Sequence, residues 1–241
     1  MHKAYTTSPP RVHSLRALRV ARSATAPAAM AALLTLFALP GHAAEFTPPQ
    51  GCKLEMTVQN RGCTVSQHYR CSADAAGDQR VTILTPDGPV YQSRIDKETR
   101  WMESSNLVQG VTDLLVDQAD DHASFSTLLQ TGRDDFDFWT QSDDGQRLHH
   151  VGHDELPGDK VTIDGVPLET TRFELTTYSE TGEVLIERKG QQFVSRSHGR
   201  FYGGIEHSTD WTGAVQDVND SPVTFAFPGP SGFGATRPEY D

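Results

Sequence analysis

The sequence predicts an all-β protein built on a single strongly curved antiparallel meander sheet or open barrel. From residue 52 onward, apolar and polar residues alternate along short segments, which is typical of strands with one buried face. Turn residues separate about a dozen such segments. No stretch of about 12 residues or more after residue 52 has the periodicity of a helix. Short links favour antiparallel neighbours, because parallel pairs need long crossovers. A β-sandwich of two sheets is the main alternative.

The N-terminal residues have the composition of a secretory signal peptide. Residues 1–29 carry five basic residues and no acidic one, an apolar run spans 28–40, and the small residues Gly41 and Ala43 follow it. The apolar run is shorter than the roughly 20 residues of a membrane-spanning helix. We therefore predict a signal peptide over 1–43, no transmembrane segment, and a periplasmic or secreted mature protein.

Removal of the predicted signal peptide leaves a strongly acidic chain. The full sequence has 21 Lys and Arg against 32 Asp and Glu, and the first 43 residues hold five of the basic residues and none of the acidic ones. The mature net charge is therefore −16. Such a charge repels phosphate backbones, so nucleic acid is not expected as a partner.

The first predicted element is a hairpin that holds all three cysteines. With a two-residue loop at 61–62, Asn60 faces Cys63 and Cys52 falls directly opposite Cys71. Opposed residues have Cβ atoms about 4.5–5.5 Å apart, close to disulfide range, and an exported protein meets an oxidising compartment. The sequence therefore predicts a Cys52–Cys71 disulfide, with Cys63 either buried or paired with another chain.

The later strands are predicted from alternating segments between turns. Residues 44–51 are expected to be a linker, 52–228 the antiparallel β domain, and 229–241 a Gly- and Pro-rich irregular tail. The segment 123–132 is read as a strand, with a short helix as the alternative. The other predicted strands are 80–84, 90–95, 99–104, 106–111, 135–141, 147–155, 160–163, 166–178, 184–190, 191–197, 201–207 and 223–227. Residues 209–222 are expected to form a longer loop.

One predicted strand contains an adjacent pair of glycines, Gly203 and Gly204. Glycine inside a strand indicates a bulge, a bend, or the close approach of a ligand or another backbone. We interpret this pair as a corner of the sheet, with a ligand contact as the alternative.

The best candidate for a metal site is the set His150, His153 and Asp154. On a straight strand His149 and His150 point to opposite faces, and His149 and His153 lie about 13 Å apart, so neither pair can bind one ion. A bend at Gly152 would let His150, His153 and Asp154 converge. This set supports an alternative hypothesis, a metal-dependent hydrolase. No catalytic or phosphate-binding motif is present, so we favour a non-enzymatic protein and expect no cofactor.

The segment 159–208 resembles the long meander hairpins of periplasmic lipoprotein-carrier proteins, and also a group of uncharacterised exported bacterial proteins. The likeness lies in "DGVPLETTRFEL" (164–175), "ETGEVLIERKG" (180–190) and "FVSRSHGRFYGG" (193–204). In the carrier family a curved antiparallel sheet wraps an apolar cavity for acyl chains and helices close it. The resemblance implies such a sheet, although the closing helices are not evident in this sequence.

Together these observations predict an exported non-enzymatic protein that binds a hydrophobic ligand or a lipidated partner in the cell envelope. The candidate ligand-binding residues share an apolar position in alternating strands. They are Phe136, Phe138, Phe173, Leu175, Phe193 and Phe201. Alternating aromatics also form ordinary cores, so the competing hypothesis is an envelope interaction or structural domain without a small ligand.

Overall fold

The computed structural model describes residues 45–229 and 231–239, so the predicted signal peptide over 1–43 lies outside the described residues. Within them the chain forms fourteen strands and one short helix. The strands are β1 (Cys52–Asn60), β2 (Thr64–Cys71), β3 (Gln79–Thr85), β4 (Gly88–Ile95), β5 (Trp101–Asn106), β6 (Val111–Leu115), β7 (Arg133–Ser142), β8 (Arg147–Glu155), β9 (Lys160–Ile163), β10 (Val166–Ser179), β11 (Val184–Ser195), β12 (Arg200–Asp210), β13 (Val215–Asn219) and β14 (Pro222–Ala226). The helix is α1 (Phe125–Thr131). No helix in this part of the chain is long and apolar enough to cross a bilayer.

All fourteen strands belong to one antiparallel meander sheet, which confirms the predicted fold class. Its order is β13-β12-β11-β10-β8-β7-β6-β5-β4-β3-β2-β1-β14, and β9 pairs with β10 beside this path. The two strands at the ends, β13 and β14, are consecutive in sequence. One segment, 215–226, therefore pairs with β12 at its start and with β1 at its end.

The two ends of the sheet pack against each other through a set of apolar side chains that we call the seam cluster. Strands β1 and β14 contribute three of its residues, and strands β10, β11 and β12 contribute the others. The buried members are Met56, Val58, Phe225, Val166, Leu168, Phe193 and Tyr202. Burial of large apolar side chains is the main force that holds the curled sheet together.

The opposite face of β11 is covered by helix α1. Val194 is fully buried and packs with Phe125 and Leu128. The segment 123–132 is therefore a short helix rather than the strand we predicted first. Its ends explain the difference, because Ser124 accepts a hydrogen bond from the Thr127 amide at the N-cap and Gly132 adopts φ 84° at the C-cap.

Two further predicted segments differ from the structure. The segment 106–111 is mostly a turn between β5 and β6, in which Gly110 has φ 71°. The predicted loop over 209–222 contains strand β13, since β12 extends to Asp210 and residues 215–219 pair with it.

The first hairpin confirms the predicted disulfide but not the predicted loop. Three residues, 61–63, form the loop, and Asn60 pairs with Thr64 rather than with Cys63. A register shift at Glu55 then adds one residue to β1, as a bulge does. The shift restores the expected pairing of Cys52 with Cys71, and the two are joined by a disulfide. Cys63 is exposed in the loop with φ 56°, not buried.

The C-terminal tail packs on the face of β1 and β2 that points away from the seam cluster. The Gln67 amide nitrogen donates to the Ala235 carbonyl at 2.6 Å, and the Gly234 amide donates to the Thr57 hydroxyl at 2.8 Å. The N-terminal arm joins the tail, since Glu45 forms an isolated bridge with Ala235. The tail lacks regular structure but satisfies polar side chains that would otherwise be buried without partners.

Candidate functional site

The structure brings together four of the six predicted ligand-binding residues. Phe136, Phe138, Phe173 and Leu175 form one buried cluster on β7 and β10, covered by residues of the loop before α1. The other two lie elsewhere, because Phe193 belongs to the seam cluster and Phe201 packs against the cluster of helix α1. The six residues therefore belong to three separate parts of the core.

The structure does not bring together the three candidate metal ligands. Strand β8 pairs without interruption through Gly152, so His153 points away from the face that carries His150 and Asp154. Both ring nitrogens of His150 are hydrogen-bonded, to Thr140 at 2.9 Å and to Thr177 at 3.1 Å. Among residues 45–229 and 231–239, no group of three or more His, Cys, Asp or Glu side chains is placed to hold a metal ion.

Two carboxyl groups lie directly opposite each other on β7 and β8. Burial, and then the charge of the neighbouring Asp134, raise the pKa of Asp154 to about 7. Burial also raises the pKa of Asp134 to about 6, although the Ser124 amide donates to its carboxylate at 2.7 Å. The pair is therefore a pH-sensitive element in the wall of the buried aromatic cluster.

The glycine pair lies inside strand β12, which runs without a break past both residues. The register between β11 and β12 shifts at this point, and a Cβ atom at Gly204 would collide with the Gln191 carbonyl. A cleft of about 210 Å³ lies beside the pair, and its lining includes Phe173 and Glu206. The glycines thus serve the close approach of two strands, and a small cleft adjoins them.

A different site, not anticipated from the sequence, lies at one end of the seam cluster. Arg200 begins β12 and is only 6% exposed. Its Nη1 donates to the Gln79 amide oxygen at 3.2 Å, and its Nε has no hydrogen-bond partner among the described residues. Within the described chain it also forms no ion pair, while the other buried or half-buried arginines of this region do, such as Arg80 with Asp74.

His68 on β2 faces the same space. It pairs with Met56 across the first hairpin and is 5% exposed, and neither of its ring nitrogens has a partner in the described part of the chain. Tyr202 joins the two residues, because its ring lies 5.7 Å from the His68 ring and 5.9 Å from the Arg200 guanidinium carbon. We call Arg200, His68, Gln79 and Tyr202 the Arg200–His68 site.

Burial controls the charge of this site. It lowers the pKa of Arg200 to about 10, so the guanidinium stays charged at neutral pH. Burial, and then the charge of Arg200, hold the pKa of His68 well below its usual range, so the imidazole is neutral. The site therefore carries one positive charge that forms no ion pair among the described residues, since Glu55, the carboxylate that acts on Arg200, is itself paired with Arg70. Burying such a charge costs several kcal/mol, which protein stability alone does not explain.

The site connects to the protein surface at His198. The Nδ1 atom of His198 shares a hydrogen bond with the Tyr202 hydroxyl at 2.7 Å, and its ring lies 5.8 Å from the exposed Phe227. The exposed ion pair of Glu55 and Arg70 also lies near this end, at 3.0 Å.

The sequence offers only a faint signal for this site. Arg200 lies in "HGRFYGG", where the pattern predicts a turn, and His68 is one polar residue of a predicted alternating strand. Both lie on the buried face only because the ends of one long sheet meet. No protein-family model, curated protein or solved structure is significantly similar to this chain, so its functional interpretation depends on this geometry.

Proposed function

We propose that this chain is an exported, non-enzymatic protein that binds a hydrophobic ligand, or the acyl chain of a lipidated partner, within the seam cluster. The proposal rests on one observation: at one end of the apolar seam cluster, Arg200 and His68 have buried nitrogen atoms without a hydrogen-bond partner among the described residues. Binding sites combine an apolar wall with a few polar groups in this way. The seam cluster includes Phe193 of the residues predicted from sequence.

The way the seam is held supports access by a ligand. Strand β13 pairs with β12 and strand β14 pairs with β1, but within the described residues no ladder joins the two ends directly. Near this junction the backbone hydrogen bonds are those from Asp220 to Gly204, at 2.7 Å, and from Arg61 to Ser221, at 2.9 Å. Parting the seam therefore requires the loss of side-chain packing and of a few hydrogen bonds, such as that from the Phe225 amide to the Asp164 carboxylate at 2.7 Å, rather than of a strand ladder. Local openings of this kind are common.

The test is native mass spectrometry of the full chain purified from the cell envelope, followed by titration of the delipidated protein with Nile red, a neutral apolar probe. We expect a co-purifying lipid and saturable binding of the probe. Phe193→Leu in the seam cluster should weaken binding of the probe, whereas the matched Phe138→Leu in the other aromatic cluster should not. A clean apo mass without saturable probe binding would contradict the proposal.

A second candidate function, an envelope interaction domain without a small ligand, is favoured by one group of exposed side chains. Val184, Trp211 and Val215 are 42%, 65% and 58% exposed. The Trp211 amide donates to the Leu185 carbonyl at 2.9 Å, which brings the loop after β12 against the start of β11. A photo-crosslinking residue at position 211 tests this function in intact cells. A specific adduct supports it, and its absence contradicts it.

A further inference from the structure

We infer that the Arg200–His68 site binds a carboxylate, so that the ligand is a single-chain amphiphile with an acidic head group and an apolar tail. This inference rests on the proposed function, since the tail would occupy the seam cluster. The first step is the charge of the site. Arg200 is a buried cation with no ion pair among the described residues, and a buried charge is normally compensated.

The arrangement of hydrogen-bond donors on Arg200 suits a carboxylate. The Arg200 guanidinium has five N–H donors in a planar fork, and one acceptor, Gln79 Oε1, is seen within reach of it. Its Nε remains unpartnered in the described structure and is buried. A carboxylate accepts two parallel hydrogen bonds from such a fork, with a match that water and neutral groups do not provide.

The third step is the neighbouring imidazole. His68 is neutral and both of its ring nitrogens lack a partner in the described chain. A neutral imidazole has one N–H donor, which can supply a further hydrogen bond to the same carboxylate. Because the site carries a single positive charge, a monoanion compensates it, whereas a phosphate dianion would leave a buried negative charge.

The fourth step is the position of the site relative to the apolar layer. Tyr202 contacts both charged and apolar parts, because its ring lies beside Arg200 and His68 and 5.2 Å from the Phe225 ring. Its hydroxyl also contacts the sulfur of Met56 at 3.5 Å. The polar end and the apolar layer are thus continuous, as an amphiphile requires.

The experiment compares two probes of equal chain length, dodecanoate and 1-dodecanol, by isothermal titration of the full chain. We expect dodecanoate to bind on the order of 10-fold tighter or more, since charge-assisted pairs exceed neutral ones. Arg200→Met should remove this preference, so that dodecanoate binds no tighter than 1-dodecanol. Arg172→Met, on an exposed position of β10, is the matched control and should change neither affinity.

The outcomes separate the two proposals. Equal affinity of the two probes, or a preference that survives Arg200→Met, overturns the carboxylate inference while the proposed function stands. A failure of both probes to bind the unaltered protein overturns the proposed function as well. Should Arg200→Met not fold, as judged by circular dichroism, His68→Phe takes its place with the same readout, and an unchanged preference in that variant counts against the inference.

Discussion

Phe193 and Val194 are adjacent in sequence and are buried in different clusters on opposite faces of the sheet. Phe193 packs in the seam cluster, while Val194 packs against Phe125 and Leu128 of helix α1. Adjacent residues of a strand point to opposite faces, so β11 is covered on both sides at this point. Strand β11 is therefore the middle of three layers. Strands β1 and β14 cover the face that carries Phe193, and helix α1 covers the face that carries Val194.

We expect alanine at either position to lower the free energy of unfolding, because each leaves a cavity in a different layer. Phe193→Ala should cost about 3–5 kcal/mol and Val194→Ala about 1–3 kcal/mol, measured by urea denaturation. Val215→Ala is the control, since Val215 is 58% exposed, and it should change stability by less than about 0.5 kcal/mol. A near-neutral result for one of the buried residues would mean that its layer is not packed.

The disulfide between Cys52 and Cys71 closes the open end of the first hairpin. We expect the double variant Cys52→Ser, Cys71→Ser to lose about 3 kcal/mol of unfolding free energy, because the chain-entropy model assigns this value to a loop of similar length. Urea denaturation measures the loss, and Cys63→Ser is the control in the exposed loop. Alkylation of the denatured, non-reduced protein should label one cysteine per chain, and three labels would refute the bond.

The carboxyl pair of Asp134 and Asp154 makes stability depend on pH. Their pKa values are raised to about 6 and about 7, so between about pH 4 and 7 the folded state holds more protons than the unfolded state. Ionisation of the pair therefore lowers the free energy of unfolding as the pH rises from about 4 to about 7.

Asp154→Asn should remove part of that loss. Relative to the unaltered protein, its unfolding free energy should rise by about 1–3 kcal/mol on going from pH 4 to pH 8, as measured by urea denaturation at both pH values. Asp87→Asn, at an exposed turn, should show no such change. If the gain for Asp154→Asn is the same at both pH values, Asp154 does not titrate in this range.

The tail is held by side-chain amides of β1 and β2. Gln67 donates to the Ala235 carbonyl and its amide oxygen accepts from the Thr57 hydroxyl at 2.7 Å. Gln67→Met should therefore leave these groups unsatisfied and lower unfolding free energy by about 1–3 kcal/mol. Limited proteolysis should then cleave the tail sooner than in Gln216→Met, the exposed control. Equal cleavage rates would show that Gln67 does not hold the tail.

The sequence predicts the all-β meander and the disulfide because both depend on local signals. Alternation and turns mark the strands, and the pairing of Cys52 with Cys71 follows from counting along a hairpin. The loop has three residues instead of the two predicted, but the extra residue of β1 at Glu55 offsets this difference, so the predicted pairing of Cys52 with Cys71 is correct. The helix at 125–131 was predicted first as a strand, since seven residues are too few for helical periodicity to be clear.

The Arg200–His68 site was not predicted because it depends on long-range geometry. His68 and Arg200 come from strands near opposite ends of the meander, and no local pattern indicates that these ends meet. Phe136 and Phe193 share the same alternating pattern and were predicted to line one ligand site, but they belong to different clusters. Alternation identifies which residues are buried, whereas the curvature of the sheet decides which buried residues share a space.

The placement of β13 and β14 at the two ends of the sheet also bears on solubility. Unpaired edge strands are templates for aggregation, and proteins protect them by keeping them short and by placing charges or proline there. Both edges here are five-residue strands, one containing Asp217 and the other beginning with Pro222. Because the two are consecutive, a single stretch of chain covers the outer edges of both β1 and β12, and these two edges stay unpaired until synthesis reaches that stretch.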